Sequence, residues 1–322
     1  MASAAPANAR TANWSIAAAM LQFPGMHDAV PVAELPSEVW RQQLHPVVEA
    51  GFSAVEVSTS WISIGDLAPQ RLAELRAVLD EAGLKVPGIS VVRRSVIHPE
   101  RGGANLALAH RTIDAAAALG APIVCLGLHD ELLDAQMQVT WFWTVPGPER
   151  PADPETYQLA VRRYRELAEH AASVGVELSL ELYEDTYLGS GKDAVRFLAD
   201  IGHAAVGLNP DVGNLIRQQR PIESWQETFA LTLPHANYWH IKNYARLEDP
   251  SRGLVLTHPT SLELGIINYR DMIQAAIAQG FTGAFVVEHY GGDGLSVGAS
   301  NAKYLRSILP ARTRSHTSET EK

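Results

Sequence analysis

Four polar residues in the second half of the chain end or interrupt apolar runs: Glu181 in VELSLEL, Asp211 after AVGLNP, His240 in NYWHIKN and Glu288 in AFVVEH. An ionised carboxylate is costly to bury without a partner. Three carboxylates and an imidazole brought together would therefore need a counter-charge, and a divalent cation would supply it. The set is rich in oxygen and suits a hard ion such as Mn²⁺, Mg²⁺ or Co²⁺, with positions left open for substrate and water. A closed cysteine-based zinc site is excluded, because the chain has one cysteine, Cys125. The alternative is that Glu181 and Glu288 are buried carboxylates paired with Lys242 or an arginine, and that His240 is a hydrogen-bonded core histidine. Four such residues at four consecutive strand ends favour the ion. Lys242 lies two residues beyond His240 on the same strand, so both side chains face one side.

A further imidazole, His129, closes the run CLGLH. Its ordinary titration near neutral pH makes it a plausible proton acceptor or donor. A loop histidine bonded to Asp130 or Glu131 is the alternative. Arg94, His98, Tyr183, His258 and His289 are further candidates for the same mouth, and His289, next to Glu288, should face away from it on a continuous strand.

Such a constellation needs strands that finish at one face. Eight β-type runs are predicted, at 13–20, 54–58, 86–92, 122–128, 176–182, 205–209, 237–243 and 284–289. Segments with apolar residues at 3.6-residue spacing alternate with them, such as Leu72, Leu75, Val78 and Leu79 before Gly83. Others are expected at 103–119, 154–174, 192–202, 222–233, 268–279 and 299–308. Several end in a glycine just before a strand, as in AGLKV, LGAPIV, VGVELSL and QGFTGAFV. The alternation predicts an α/β protein, a (β/α)8 TIM barrel over 13–310, with residues 1–12 extended or disordered and 311–322 a disordered tail. Two connections, 129–153 after the fourth strand and 244–267 after the seventh, are long for βα loops and should form lids or recognition surfaces. The first carries Trp141, Phe142 and Trp143.

Composition narrows the function. Lys and Arg number 26 against 36 Asp and Glu, a net charge of −10 that disfavours a nucleic-acid partner. A lone cysteine in an apolar run fits the core of a cytoplasmic protein. No run reaches transmembrane length, so no membrane partner is expected.

The motifs GFSAVEVS, ELYEDTYLG, GLNPDVGN, YWHIKN and VVEHYGGD resemble those of the xylose isomerase-like superfamily of sugar isomerases, epimerases and related barrel enzymes, across nearly the whole chain. The resemblance implies a metal held by Glu181, Asp211, His240 and Glu288, with Mn²⁺ foremost and Mg²⁺, Co²⁺ or Zn²⁺ as alternatives. It also implies that Glu181 and Glu288 act on opposite faces of a sugar, with Lys242 an electrostatic partner near the substrate oxygens. A divalent ion chelating a carbonyl and its neighbouring hydroxyl eases removal of the proton between them by stabilising the developing enediolate.

Within the superfamily, AAAMLQFPGMHDAVPV, STSWISIGDL, CLGLH, WHIKNYAR, HPTSLELGIINY and EHYGGDGLSV resemble the metal-bearing α subunit of bacterial 3-oxo-C-glycoside deglycosidases. That resemblance implies a 3-keto sugar joined through carbon to an aromatic aglycone, cleaved by a lyase-type elimination. It further implies His129 as the base and a small, separately encoded β subunit as partner. A ketose epimerase or isomerase working through the same enediolate is the alternative.

Overall fold

The computed structural model describes residues 14–310. The terminal segments 1–12 and 311–322, expected to be disordered, lie outside the described residues. All eight predicted strands are present: β1 (Ile16–Ala19), β2 (Val55–Ser58), β3 (Ile89–Ser90), β4 (Ile123–Leu126), β5 (Glu177–Glu181), β6 (Val206–Asn209), β7 (Trp239–Ile241) and β8 (Phe285–Val287). They pair in parallel in the order β6-β5-β4-β3-β2-β1-β8-β7. A single bridge, Leu208 to Ala236, joins β6 to the approach of β7 and nearly closes the ring. The protein is thus a (β/α)8 barrel. Its strands are shorter than the apolar runs because the flanking residues already belong to the entering and leaving loops.

Among the described residues eight longer helices cover the barrel: α1 (Ser37–Glu49), α2 (Pro69–Glu81), α3 (Gly102–Leu119), α4 (Pro154–Ser173), α5 (Gly191–Ile201), α6 (Trp225–Thr232), α7 (Tyr269–Ala278) and α8 (Gly294–Ile308). The spacing argument does not place α1. Trp40, Leu44 and Val47 form its buried stripe, but Pro46 inside it reads as a breaker. Helix α8 begins five residues earlier than expected, where the Asp293 carboxylate accepts the Ser296 N–H at 3.0 Å. At the repeated helix-to-strand connection, Gly83, Gly120, Gly175 and Gly280 all take positive φ, a conformation that costs other residues energy.

The barrel has two cores. Outward-facing residues such as Ile16, Val55, Val57, Val124, Leu178, Leu180, Trp239, Ile241 and Phe285 pack against the helices. The interior holds a smaller cluster of Ala17, Ala19, Ala54, Ile123, Cys125, Tyr238, Ala284 and Val286. Its alanines leave room for larger polar side chains from the other strands.

The two long connections are built differently. Residues 129–153 contain a one-turn helix, Asp134–Met137, and a 3-10 turn, Phe142–Thr144. Most of 244–267 is an antiparallel hairpin, Asn243–Asp249 against Leu254–Thr260. Its charged positions, as in ARLED, hide the strand signal that alternation would otherwise carry. No helix among the described residues is long and apolar enough to cross a membrane.

Candidate metal centre

Alternation along β7 arranges the site. Trp239 and Ile241 face the helices, so Tyr238, His240 and Lys242 face the barrel axis. At the seam, the Asn209 side-chain oxygen accepts the His240 N–H at 2.8 Å where a ladder bond would otherwise run. Inside, His240 Nε2 lies 2.6 Å from Glu56 Oε1, and the Tyr238 hydroxyl donates to the same oxygen at 3.1 Å. Glu56 thereby sets the imidazole's orientation and turns Nδ1 toward the mouth.

Around that nitrogen stand three carboxylates. Glu288 Oε1 is at 3.2 Å, Glu181 Oε1 at 3.6 Å and Asp211 Oδ2 at 3.9 Å. All four side chains that the sequence proposes as ligands therefore meet, brought by four consecutive barrel positions: the end of β5, the segment after β6, β7 and the end of β8. Lys242 Nζ bonds to Asp211 Oδ2 and Glu288 Oε2. The pairing alternative is thus realised for Glu288 and not for Glu181, Asp211 is paired as well, and Lys242 lies against the carboxylates themselves. Asn214, which sequence reasoning missed, donates through one amide nitrogen to Glu181 Oε1 at 2.9 Å and Asp211 Oδ2 at 3.2 Å. Gly213 is required beside it, since a Cβ there would come within 2.5 Å of Lys242 Cγ.

Charge remains unbalanced after these bonds. Glu56, Glu181, Asp211 and Glu288 are all buried, and among the described residues Lys242 is the one buried lysine. Burial pushes the Asp211 carboxyl up to about 7; Lys242 opposes this, while Glu288 and Glu181 add to it. Burial also works against a charged His240, but Glu56 and Glu288 outweigh it and hold its pKa well above the usual imidazole range. His240 Nδ1 and Asp211 Oδ1 are buried without a hydrogen-bond partner. A ring nitrogen that would give up its proton to a bound cation, beside an orphaned carboxylate oxygen and three buried carboxylates, fits an ion of oxygen and nitrogen preference.

Tighter mutual groupings among the described residues are Glu56, His240 and Glu288, and Cys125, Glu181 and His240. Cys125 is a poor ligand there, because burial raises its thiol to about 12 and keeps it protonated. Glu56 already engages the far side of the ring. Its signal was legible as a lone carboxylate between Val55 and Val57, yet the run AVEVS reads equally as an ordinary strand.

His129 stacks on Tyr183, with ring centroids 4.2 Å apart and planes 10° from parallel. It does not bond Asp130 or Glu131; its Nδ1 is buried without a partner. Burial drives its pKa down to about 3, with Glu181 opposing and Arg93 assisting, so the ring is neutral. This makes a checkable stability signature. The unfolded histidine takes a proton near pH ~6.5, whereas the folded one resists it. The contribution is complete above that pH and is lost as pH falls toward 3, with a slope approaching about 1.4 kcal/mol per pH unit. His129→Asn should flatten the acid limb of a stability-against-pH curve measured by urea unfolding; an unchanged limb refutes the assignment.

The other mouth candidates separate. Arg94 and Arg101 bind Glu131 at 3.1 and 2.8 Å, with His98 against Arg101, in a partly exposed cluster. His258 is exposed on the hairpin. His289 is half-buried, and burial lowers its pKa.

Sequence reasoning also missed the roof. Arg217, fully buried, forms a two-pronged pair with Glu184 at 2.9 Å on each side. Its guanidinium lies 4.7 Å from the Phe142 ring centre, 4.9 Å from Tyr183, 5.4 Å from Trp143 and 5.7 Å from Tyr290. The hairpin is tied in as well: the Trp143 N–H donates to Thr257 Oγ1 at 3.2 Å, and that hydroxyl donates to the Arg217 carbonyl at 2.5 Å. A cavity of about 580 Å³ opens beside this cage, lined by His129, Tyr183, Phe142, Trp143 and Arg93 among others. The residues around His240 do not line it. The cage borders the cavity on one side and, through Tyr290, reaches within 5.8 Å of Lys242 on the other.

A family model described as a xylose isomerase-like TIM barrel matches residues 44–308. The chain belongs to the xylose isomerase-like TIM barrel family. Its barrel is similar to the crystal structure of a xylose isomerase-like TIM barrel protein from Mycobacterium smegmatis in complex with magnesium. The two share 43% identity and a TM-score of 0.89, over 95% of this chain and 98% of that one. At 14% identity and a TM-score of 0.65, a D-allulose 3-epimerase from Methylomonas sp. shares the fold over 92% of this chain and 98% of that one. A 3-keto-D-glucoside 4-epimerase from E. coli does so at 17% identity and a TM-score of 0.64, over 92% of this chain and all of that one (100%). Among curated proteins none matches.

Proposed function

We propose that this chain is a divalent-metal-dependent enzyme that moves a proton at the carbon beside the carbonyl of a keto sugar, with epimerisation or isomerisation as the outcome. One observation carries the reading: the partnerless Nδ1 of His240 faces Glu181, Asp211 and Glu288 within 3.9 Å. These four residues would hold the ion, with Mn²⁺ and Mg²⁺ both suited to their oxygens; the magnesium in the Mycobacterium smegmatis relative supports the class. When bound, such an ion supplies a Lewis acid that polarises a carbonyl and steadies negative charge on neighbouring oxygens.

The chain's own groups supply the rest. Glu181 comes from two strands to one side of His240 and Glu288 from the neighbouring strand on the other, so either can take a proton from carbon and the other return one. Lys242 restrains Asp211 and Glu288 and keeps their negative charge tolerable in a buried site. The cage around Arg217 limits water near the reacting carbon.

The aromatic wall favours a second reading. A cavity of about 580 Å³ walled by Phe142, Trp143 and Tyr183 exceeds the needs of a single hexose and suits a flat aglycone. On this reading a 3-keto-C-glycoside enters, His129 takes the proton beside the carbonyl, the electrons of that C–H bond form a carbon–carbon double bond in the sugar, and the aglycone carbon leaves with the pair of the broken bond and takes a proton from water, with a small β subunit as partner. The deciding assay supplies Mn²⁺ or Mg²⁺ in deuterated water, with free ketoses and separately with a 3-keto-C-glucoside. Deuterium at the carbon beside the carbonyl of an epimer supports the first reading, and release of free aglycone supports the second. Neither exchange nor cleavage, with the metals present, rejects both.

A further inference from the structure

Away from the mouth, two histidines meet on the outside of the barrel. His110 of α3 and His170 of α4 approach through their Nδ1 atoms at 2.8 Å, with ring centroids 5.0 Å apart. The opposite ring nitrogens are each held by a carboxylate. His110 Nε2 is 3.0 Å from Glu166 Oε1, and His170 Nε2 is 2.9 Å from Asp114 Oδ1. The cross-links are reciprocal: His110 and Asp114 lie one turn apart on α3, Glu166 and His170 one turn apart on α4, and each histidine is gripped by the other helix's carboxylate.

We propose that His110 and His170 form a second, independent metal site, for a nitrogen-preferring divalent transition ion such as Cu²⁺ or Zn²⁺. The carboxylates hold Nε2–H on each ring, the arrangement that orients metal-binding histidines. Both lone pairs are then directed at one point between the helices. Without an ion, two facing nitrogens this close need a proton between them, so one proton is shared by the pair. An incoming ion displaces that proton to solvent and takes both lone pairs.

Metal–nitrogen bonds of about 2.0–2.1 Å require the nitrogens to part by only about half an ångström from 2.8 Å. The imidazoles, 27% and 24% exposed, have room to do so. Water completes the coordination from the open side. The donor set differs from that of the mouth, where three carboxylates accompany one imidazole. Oxygen-preferring Mg²⁺ has little affinity for a pair of imidazoles, so the two sites select different ions. An ion here clips α3 to α4.

The test uses the untagged full chain with Mg²⁺ in excess to satisfy the mouth, titrated with Cu²⁺ and followed by calorimetry and electron paramagnetic resonance. The expected result is one equivalent of Cu²⁺ with hyperfine splitting from two nitrogens, retained in His240→Ala. His110→Gln and His170→Gln should each lose the two-nitrogen signal, and Glu166→Gln should bind about tenfold more weakly. Circular dichroism establishes that each variant is folded. A wild type that takes up no more Cu²⁺ than His110→Gln/His170→Gln, or a two-nitrogen signal that survives in either single variant, overturns the site.

Discussion

Asp211→Asn and His240→Ala are each expected to lose the bound ion and at least about a thousandfold in turnover while the barrel stays folded. The expectation follows from the position of these groups. Asp211 contributes an oxygen 3.9 Å from His240 Nδ1 and a second, buried oxygen with no partner of its own, and His240 contributes the ring nitrogen on which the carboxylates converge. Asparagine keeps the shape of Asp211 and can still accept from Lys242, so the loss would report charge and not packing. His240→Ala additionally strands Glu56, which is why the two variants should be read together. Glu56 acts through the ring it holds. Glu56→Gln should therefore weaken ion affinity about 10- to 100-fold without abolishing it. Elemental analysis after dialysis and calorimetric titration with Mn²⁺ measure all three. Stoichiometric metal and undiminished turnover in Asp211→Asn would remove the metal centre from the account.

The second large effect is on stability. Arg217→Ala should cost about 3–5 kcal/mol, because it leaves the buried Glu184 carboxylate without its cation. Burial already raises the Glu184 carboxyl, with Arg217 the main opposing influence. One guanidinium nitrogen, Nη1, has no hydrogen-bond acceptor, and the faces of Phe142, Trp143, Tyr183 and Tyr290 surround the group in its place. Removing it should therefore also release the wall that 129–153 builds over the mouth, and turnover should fall with stability. Arg217→Met/Glu184→Gln removes both charges and should recover most of the lost stability but not the wall. Urea unfolding of the single and double variants separates these effects. A single variant within about 1 kcal/mol of wild type would show that the pair contributes little.

Much of this architecture was legible in the chain because it rests on local rules. Apolar runs closed by glycine at a positive-φ turn mark where most helices yield to the next strand, and the alternation of such units leaves a parallel barrel as the economical solution. The ligand set was legible for a related reason: a carboxylate or imidazole at the end of an apolar strand is costly to bury anywhere except a functional mouth. Helix α1 was obscured by Pro46, and the hairpin 243–260 by the charges along its strands. Glu56, Asn209, Asn214 and Arg217 went unseen, since each is chosen by a neighbour far along the chain. Glu56 meets His240, 184 residues away, and Arg217 meets Glu184 across 33.

Local chemistry along the chain thus sets the order of strands and helices, the face at which chemistry can occur and the four side chains offered there, because period, turn chemistry and the cost of burying charge act over a few residues. Tertiary structure alone decided which ring nitrogen of His240 faces the carboxylates, that Lys242 grips two of them, that four aromatic rings close round Arg217, and that His110 meets His170 on the outer surface. Those outcomes depend on distances between elements remote in sequence, which only the closed and packed barrel sets.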